Sequence, residues 1–221
     1  MAIELDFAAV LTEWPLLVKG VALTLGLTAV SAVLGVLLGI GCAWVRTQGP
    51  GWSRPGVAAY VELIRNTPFI VQLFFIFFGL PAAGFKLSAE TASFIAMVIN
   101  LGAYATEIIR AGLEATPKGQ IEAAVSLALN RLQTFTYVVL PPALKKIWPS
   151  LVSQVVIVML GSSVCGQIST KELSYAADLI QSNNFRSFEA FMVVGAVYLL
   201  LSFVVRHVLN WLGATFLFGR R

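Results

Sequence analysis

Polar side chains embedded in long apolar runs are the residues of this 221-residue chain that could do chemistry. Glu62 with Arg65, and Glu107 with Arg110, are carboxylate–guanidinium couples at i,i+3 spacing. On a helix such couples can pair, and at a membrane face they can form a gate or a partner contact. Asn100 stands in the middle of an apolar run, and Gln72, Gln154, Ser162, Ser163 and Gln167 are weaker candidates of the same kind. An amide at that depth faces protein or a cavity, because hydrocarbon offers it no hydrogen bond. For Asn100, interhelical bonding and contact with a passing solute are both open. These side chains supply donors for a carboxylate and acceptors for an amine, which is what a zwitterionic amino acid requires.

The rest of the composition narrows the chemistry further. The chain has 58% hydrophobic and 12% charged residues, with a mean hydropathy of +0.84. Those values describe an integral membrane protein rather than a globular enzyme, and the connecting loops leave little room for chemistry in water. The only histidine, His207, follows Arg206 and precedes Trp211, an interfacial setting. Cys42 and Cys165 sit in apolar runs, as small buried hydrophobes do. No Cys/His grouping has metal-ligand spacing, so no metal site is expected. The net charge of +4 could suggest nucleic acid, but the basic residues cluster at alternate loops, which serves membrane orientation instead.

Five apolar segments, each on the order of 20 residues, must position these groups. They cover about 18–44, 57–80, 89–111, 144–167 and 188–216. The acidic lead-in with Glu4, Asp6 and Glu13 lacks the basic start of a cleavable signal, so the first segment is expected to remain as a span. Gly35 and Gly39 in that span suit close helix packing. A turn-rich break at 46–56 precedes the second span, which Pro68 can bend. The fold class is therefore all-α, with five transmembrane helices. With the N-terminus outside, residues 1–17 and 168–187 are extracytoplasmic and 112–143 cytoplasmic. Eleven basic residues then lie toward the cytoplasm (Arg46, Arg54, Arg65, Arg110, Lys118, Arg131, Lys145, Lys146, Arg206, Arg220 and Arg221). Only Lys19, Lys86, Lys171 and Arg186 lie outside, in keeping with the positive-inside rule. The segment at 169–187 is expected on the outer membrane surface.

Residues 116–142 form the longest loop between spans. Thr116 as a hydroxyl cap before Pro117 marks a helix start. Ile121, Val125, Leu129 and Leu132 then share one helical stripe and Glu122, Ser126 and Asn130 a polar one. The small residues Ala123, Ala124 and Ala128 allow another surface to come close, and Pro141–Pro142 closes the segment. A short amphipathic helix held between spans is a handle for a soluble partner.

Three motifs, in order, carry a resemblance over almost the whole chain. They are Arg65-Asn66-Thr67-Pro68 with Gln72-Leu73-Phe74, Tyr104-x-x-Glu107-x-x-Arg110-x-Gly112, and Gly119-Gln120-x-Glu122-Ala123-Ala124-x-Ser126-Leu127 followed by Val138-x-Leu140-Pro141. Together they resemble the permease subunits of polar amino-acid ABC importers of type I, the histidine/glutamine/glutamate/arginine group. The resemblance implies that residues 116–142 are the EAA loop, a cytoplasmic coupling helix between helices 3 and 4. Gly119, Glu122, Ala123, Ala124, Leu127, Ala128 and Pro141 would serve ATPase coupling, with the alanines seated in an ATPase groove and Glu122 orienting the helix. It further implies a dimer of cytoplasmic ATPase subunits, which use ATP and Mg, and a second permease chain, identical or sister. An extracytoplasmic amino-acid-binding protein would deliver solute, and the setting would be the bacterial inner membrane, with lipid and no nucleic acid as surroundings. This chain has no phosphate loop, so it is not itself expected to be an enzyme and no cofactor is expected in it. The family has glycine where Ala128 stands, a conservative change. It has a Lys-Asp-containing run where this chain reads Gly161-Ser162-Ser163-Val164-Cys165-Gly166-Gln167, which points to altered solute contacts.

Two other classes fit the sequence less well. An ion-coupled carrier or channel subunit would hold acidic residues deep in the membrane, whereas Glu62 and Glu107 lie near span ends. A non-transporting scaffold would need neither the mid-span amides nor a docking helix.

Overall fold

The computed structural model describes residues 5–217. Glu4, Arg220 and Arg221, used above for the lead-in and the orientation count, lie outside the described residues. After a short helical turn at Ala8–Leu11 the chain forms α1 (Trp14–Gln48), α2 (Arg54–Arg65), α3 (Phe69–Ala82), α4 (Ala89–Glu114) and α5 (Lys118–Ser126). Then come α6 (Arg131–Ile168), α7 (Leu173–Asn184) and α8 (Ser187–Leu212). No strand occurs among the described residues. α1, α4, α6 and α8 are long and apolar enough to cross a membrane, while α2 and α3 meet at 111° and count as a fifth crossing where the bent pair is taken as one span.

α4 is the centre of the bundle. In its most apolar stretch 61% of residues are buried, against 22% in α8, so α8 lies at the rim. The face of α1 toward α4 is a stripe of small residues at three- and four-residue spacing, including Thr24, Thr28, Ser31, Gly35, Gly39 and Ala43. A Cβ at Gly39 would lie 2.6 Å from that of Ala105, so glycine is what admits α4. The opposite face of α1 presents Val30, Val33 and Leu37, as a lipid-facing surface does. One core cluster gathers Leu27, Leu73, Met97, Leu101 and Val155 mid-bundle. Two others lie at the ends, around Leu173, Ile180 and Val194, and around Ile109, Phe135 and Ile147.

The second span was expected to be one helix over 57–80. It breaks at Asn66–Pro68 because a residue before proline avoids helical angles and Pro68 is extended (ψ 141°). The fourth span was expected to start near 144 after closure at Pro141–Pro142. Instead α6 is helical from Arg131 and passes through both prolines. Its turns widen to π geometry over Thr134–Val139, where the carbonyls of Tyr137 and Val138 would otherwise meet the proline rings. The same device precedes Pro81, with π turns at Phe75–Gly79. The helix α7, expected on the membrane surface, is packed inward instead. Its Leu173, Ala176, Ala177 and Ile180 are buried in the cluster that also holds Leu17 and Val194.

Candidate functional site

The break in the second span creates the first polar site. Pro68 has no N–H to give the carbonyl of Ile64, four residues earlier. The Gln72 side chain replaces it. Its Nε2 donates to Ile64 O at 2.7 Å and lies within bonding distance of Thr67 O (3.0 Å) and Thr67 Oγ1 (2.9 Å). Gln72 Oε1 accepts from Asn100 Nδ2 at 3.0 Å, joining the broken span to α4. Asn100 and Gln72 are both buried, so this chain of bonds runs in a low-dielectric interior.

Beside it lies a cavity of about 330 Å³, bounded by Thr67, Pro68, Asn100, Tyr104, Gln154 and Gly161 among others. That volume falls in the range of small-molecule sites, about 300–1,000 Å³. The structure thus brings three expected candidates together, Asn100, Gln154 and, through its bond to Asn100, Gln72. It does not bring in the other three. Ser162 Oγ and Ser163 Oγ donate back to Met159 O and Leu160 O within a 3-10 continuation of α6, and Gln167 is exposed at its far end. From the atypical run, only Gly161 reaches the cavity wall.

One α-helical face carries Asn100, Tyr104 and Glu107 in succession, so the cavity leads along α4 to an ion cluster. Glu107 binds Arg46 of α1, Arg65 of α2 (3.8 Å) and Arg110 (2.8 Å). Arg110 also reaches Glu114 at 2.6 Å. The Arg65 guanidinium stands 5.6 Å from the centre of the Tyr104 ring. The expected Glu107–Arg110 couple therefore forms, whereas the expected Glu62–Arg65 couple does not. Glu62 instead accepts from Asn66 Nδ2 at 2.9 Å on the exposed side, because Arg65 turns toward the half-buried carboxylate on α4.

α5 is the third site. Pro117 occupies the cap position and no side chain caps the helix, so the expected Thr116 hydroxyl cap is absent. The helix ends at Ser126 rather than continuing to Leu132. Asn130 opens α6 with a capping box to Gln133, which removes Leu129 and Leu132 from the α5 stripe. At the C-terminus, Leu129 N donates to Ala124 O (3.1 Å) and Ala128 N to Val125 O (2.9 Å), a Schellman motif. Ala128 has φ +56° there, a conformation that favours glycine, so alanine at this position carries strain. Ala124 is 2% exposed and packs into its own chain, while Leu127 is 76% exposed. Gly119, Glu122, Ala123 and Ala128 are also exposed, and Glu122 has no ion-pair partner among the described residues. Pro141 lies in the first turns of the α-helical part of α6, after the π turns.

Sequence reasoning missed a fourth feature. Glu172, fully buried, caps α7 by accepting from Ser174 N (2.9 Å) and Tyr175 N (2.8 Å), and it accepts from Tyr198 Oη at 2.5 Å. Thr24 Oγ1 of α1 accepts from Leu173 N at 3.2 Å. Burial pushes the Glu172 carboxyl above the usual range, against the lowering effect of its hydrogen bonds. Glutamate is a rare cap, and Tyr198 lies in another apolar run, so no local pattern announced the pair.

Residues 35–216 match the family described as binding-protein-dependent transport system inner membrane component. The glutamine transport system permease protein GlnP of Escherichia coli (strain K12) is 34% identical over 210 residues, spanning 94% of this chain and 95% of that protein. The arginine transport system permease protein ArtQ of Bacillus subtilis (strain 168) is 31% identical over 209 residues, with 93% and 94% covered. A crystal structure of an amino acid ABC transporter with histidines superimposes with a TM-score of 0.85 at 34% identity, over 95% of this chain and 98% of that one. Inward-facing MetNI methionine ABC transporter structures share the fold at TM-scores of 0.67 and 0.69 with 20% and 22% identity, covering 88% of this chain and 95% of theirs.

Proposed function

The chain belongs to the binding-protein-dependent transport system inner membrane components, and on that premise we propose how its parts divide the work of an importer. It is the transmembrane permease subunit of an ABC transporter for amino acids. A pair of cytoplasmic ATPase subunits, using ATP and Mg, docks on α5, and a second permease chain completes the path. An extracytoplasmic binding protein hands over a polar amino acid, and ATP-driven closure of the ATPases switches the cavity between the two sides of the inner membrane. The N-terminus lies outside and the C-terminus inside.

Asn100 and Gln154 are the solute contacts in the cavity. Asn100 Oδ1 and the Gln154 amide have no partner among the described residues, so they are available to an ammonium and a carboxylate. Gln72 positions Asn100 rather than meeting solute itself. The Glu107 cluster closes the cytoplasmic end of the path, with Arg65 its loosest member. Glu122, Ala123, Leu127 and Ala128 form the docking face, Ala124 seats the helix on its own chain, and Gly119 keeps the outer surface low.

The observation that carries this reading is a cavity walled by Asn100 and Gln154 in a bundle whose short helix α5 leaves Glu122, Ala123 and Leu127 exposed. The test is affinity purification of the chain from mild-detergent membranes, followed by reconstitution into vesicles with the proteins it brings. Recovery of an ATPase and ATP-dependent uptake of labelled L-glutamine or L-arginine, increased by a binding protein, is the expected result. Uptake driven by an ion gradient, with no ATPase recovered, would replace the reading with an ion-coupled carrier.

A further inference from the structure

A second cavity, of about 450 Å³, lies between α5 and the ends of α1, α4 and α6. Its wall is amphipathic. Ile121, Leu129 and Phe135 give an apolar side, while Lys118 and Arg131 give a cationic one. Neither cation has an ion-pair partner among the described residues. Among the described residues the one carboxylate on the wall, Glu114, is already held by Arg110 at 2.6 Å. Two cations facing one apolar wall call for an anion that also carries apolar surface. A small soluble anion would leave the apolar wall wet, whereas a phospholipid satisfies both sides at once.

We propose that this cavity binds one anionic phospholipid, with its phosphate between Lys118 and Arg131 and an acyl chain along Ile121, Leu129 and Phe135. The cavity opens where Gln48 ends α1, Glu114 ends α4 and Arg131 begins α6, the ends of three apolar helices, and a headgroup level is proposed there. Basic pockets among transmembrane helices on the cytoplasmic side are suited to anionic headgroups. That this end faces the cytoplasm rests on the functional reading above. The lipid braces α5, whose only buried residue is Ala124, and so stiffens the helix through which ATPase movement reaches the bundle.

The test uses the purified complex with its partner subunits, moved into nanodiscs of phosphatidylcholine with or without phosphatidylglycerol. Native mass spectrometry reads the retained lipid. The expected result is one phosphatidylglycerol held through delipidating wash, with retention reduced at least roughly tenfold by the double substitution Lys118→Gln, Arg131→Gln. The charge-keeping pair Lys118→Arg, Arg131→Lys should retain it, which controls for folding. Equal retention by wild type and the double glutamine variant would overturn the proposal, as would equal retention of phosphatidylcholine. Cross-links from Lys118 to the ATPase with no lipid held would overturn it too, in favour of a protein occupant. The lipid count needs neither ATP nor solute, so it stands or falls separately from uptake.

Discussion

The Gln72 amide nitrogen sits 2.7 Å from the carbonyl of Ile64, eight residues earlier in sequence and across a 111° bend. A side chain thereby stands in for the proline N–H that never existed, and the same side chain holds Asn100 at the cavity wall. The broken span and the placing of Asn100 on the cavity wall therefore depend on a single amide. Gln72→Leu keeps the volume but leaves the carbonyl and Asn100 unpaired, at a cost of about 1–3 kcal/mol. The thermal midpoint in detergent should fall by several degrees, and uptake should fall with it. An unchanged midpoint would show that water satisfies the break and that Gln72 is free for solute.

The Glu107 cluster predicts a ranking. Arg110 binds Glu107 at 2.8 Å and Arg65 at 3.8 Å, with the Arg65 side chain 39% exposed. Glu107→Gln leaves three arginines without their shared carboxylate and should cost the most, about 3 kcal/mol. Arg110→Ala should follow, and Arg65→Ala should cost under about 1 kcal/mol, as expected for an exposed pair. If Arg65 belongs to a gate, its alanine variant should nonetheless raise ATP hydrolysis without solute. A stability loss for Arg65→Ala equal to that of Glu107→Gln, with coupling intact, would make the cluster purely structural.

Ala128 shows what was legible in the sequence and what was not. The motif residues marked the segment, and the departure from glycine was visible, but its conformation was not. Only the Schellman bonds from Leu129 and Ala128 reveal that this position needs positive φ. Ala128→Gly should therefore stabilise the C-terminus of α5 by about 1 kcal/mol, and Ala128→Val should destabilise it. Amide hydrogen exchange at Leu127–Leu129 reads the change, and faster exchange in the glycine variant would refute the strain.

Apolar length and polar interruptions were enough to find the spans, because a bilayer forces backbone bonds inside each segment. The path of α6 through Pro141–Pro142 was not readable, since proline reads as a stop unless the preceding turns widen, and π geometry has no residue signature. The cavity was half readable. Depth pointed to Asn100 and Gln154, but only the three-dimensional break shows that Gln72 is occupied by backbone. Ser162 and Ser163 show another limit of the sequence, since a hydroxyl in a helix can donate to a carbonyl three residues back and no residue pattern announces it.

Glu172 gives a pH prediction. Burial raises its carboxyl above the ordinary value of 4.5, with Asp178 adding to the shift, while Tyr198 and two backbone amides act against it. A group whose pKa is higher in the folded state binds its proton more tightly there. Its stabilising contribution is complete below the unfolded value and is lost as pH rises through the folded one. The thermal midpoint should decline as pH is raised from 4.5, and Glu172→Gln should flatten that part of the curve. A midpoint that rises over the same window in the wild type but not in the variant would mean that the hydrogen bonds outweigh burial.

Leu127 carries the prediction that reaches furthest from the chain. It is 76% exposed at the tip of α5, with Glu122 and Ala123 beside it and no neighbour of its own to cover it. A large apolar side chain at a projecting tip over water is costly unless a partner buries it. If the ATPase does so, Leu127 is an anchor, and Leu127→Asp should weaken ATPase retention by about 2 kcal/mol, roughly thirtyfold. Ala124, buried within the chain, should behave differently. Ala124→Leu should lower the thermal midpoint first and ATPase binding only as a consequence. Opposite signatures from these two residues, read by co-purification and by thermal unfolding, separate docking at the C-cap of α5 from packing within the helix. Retention of the ATPase by Leu127→Asp at wild-type levels would move the contact away from α5.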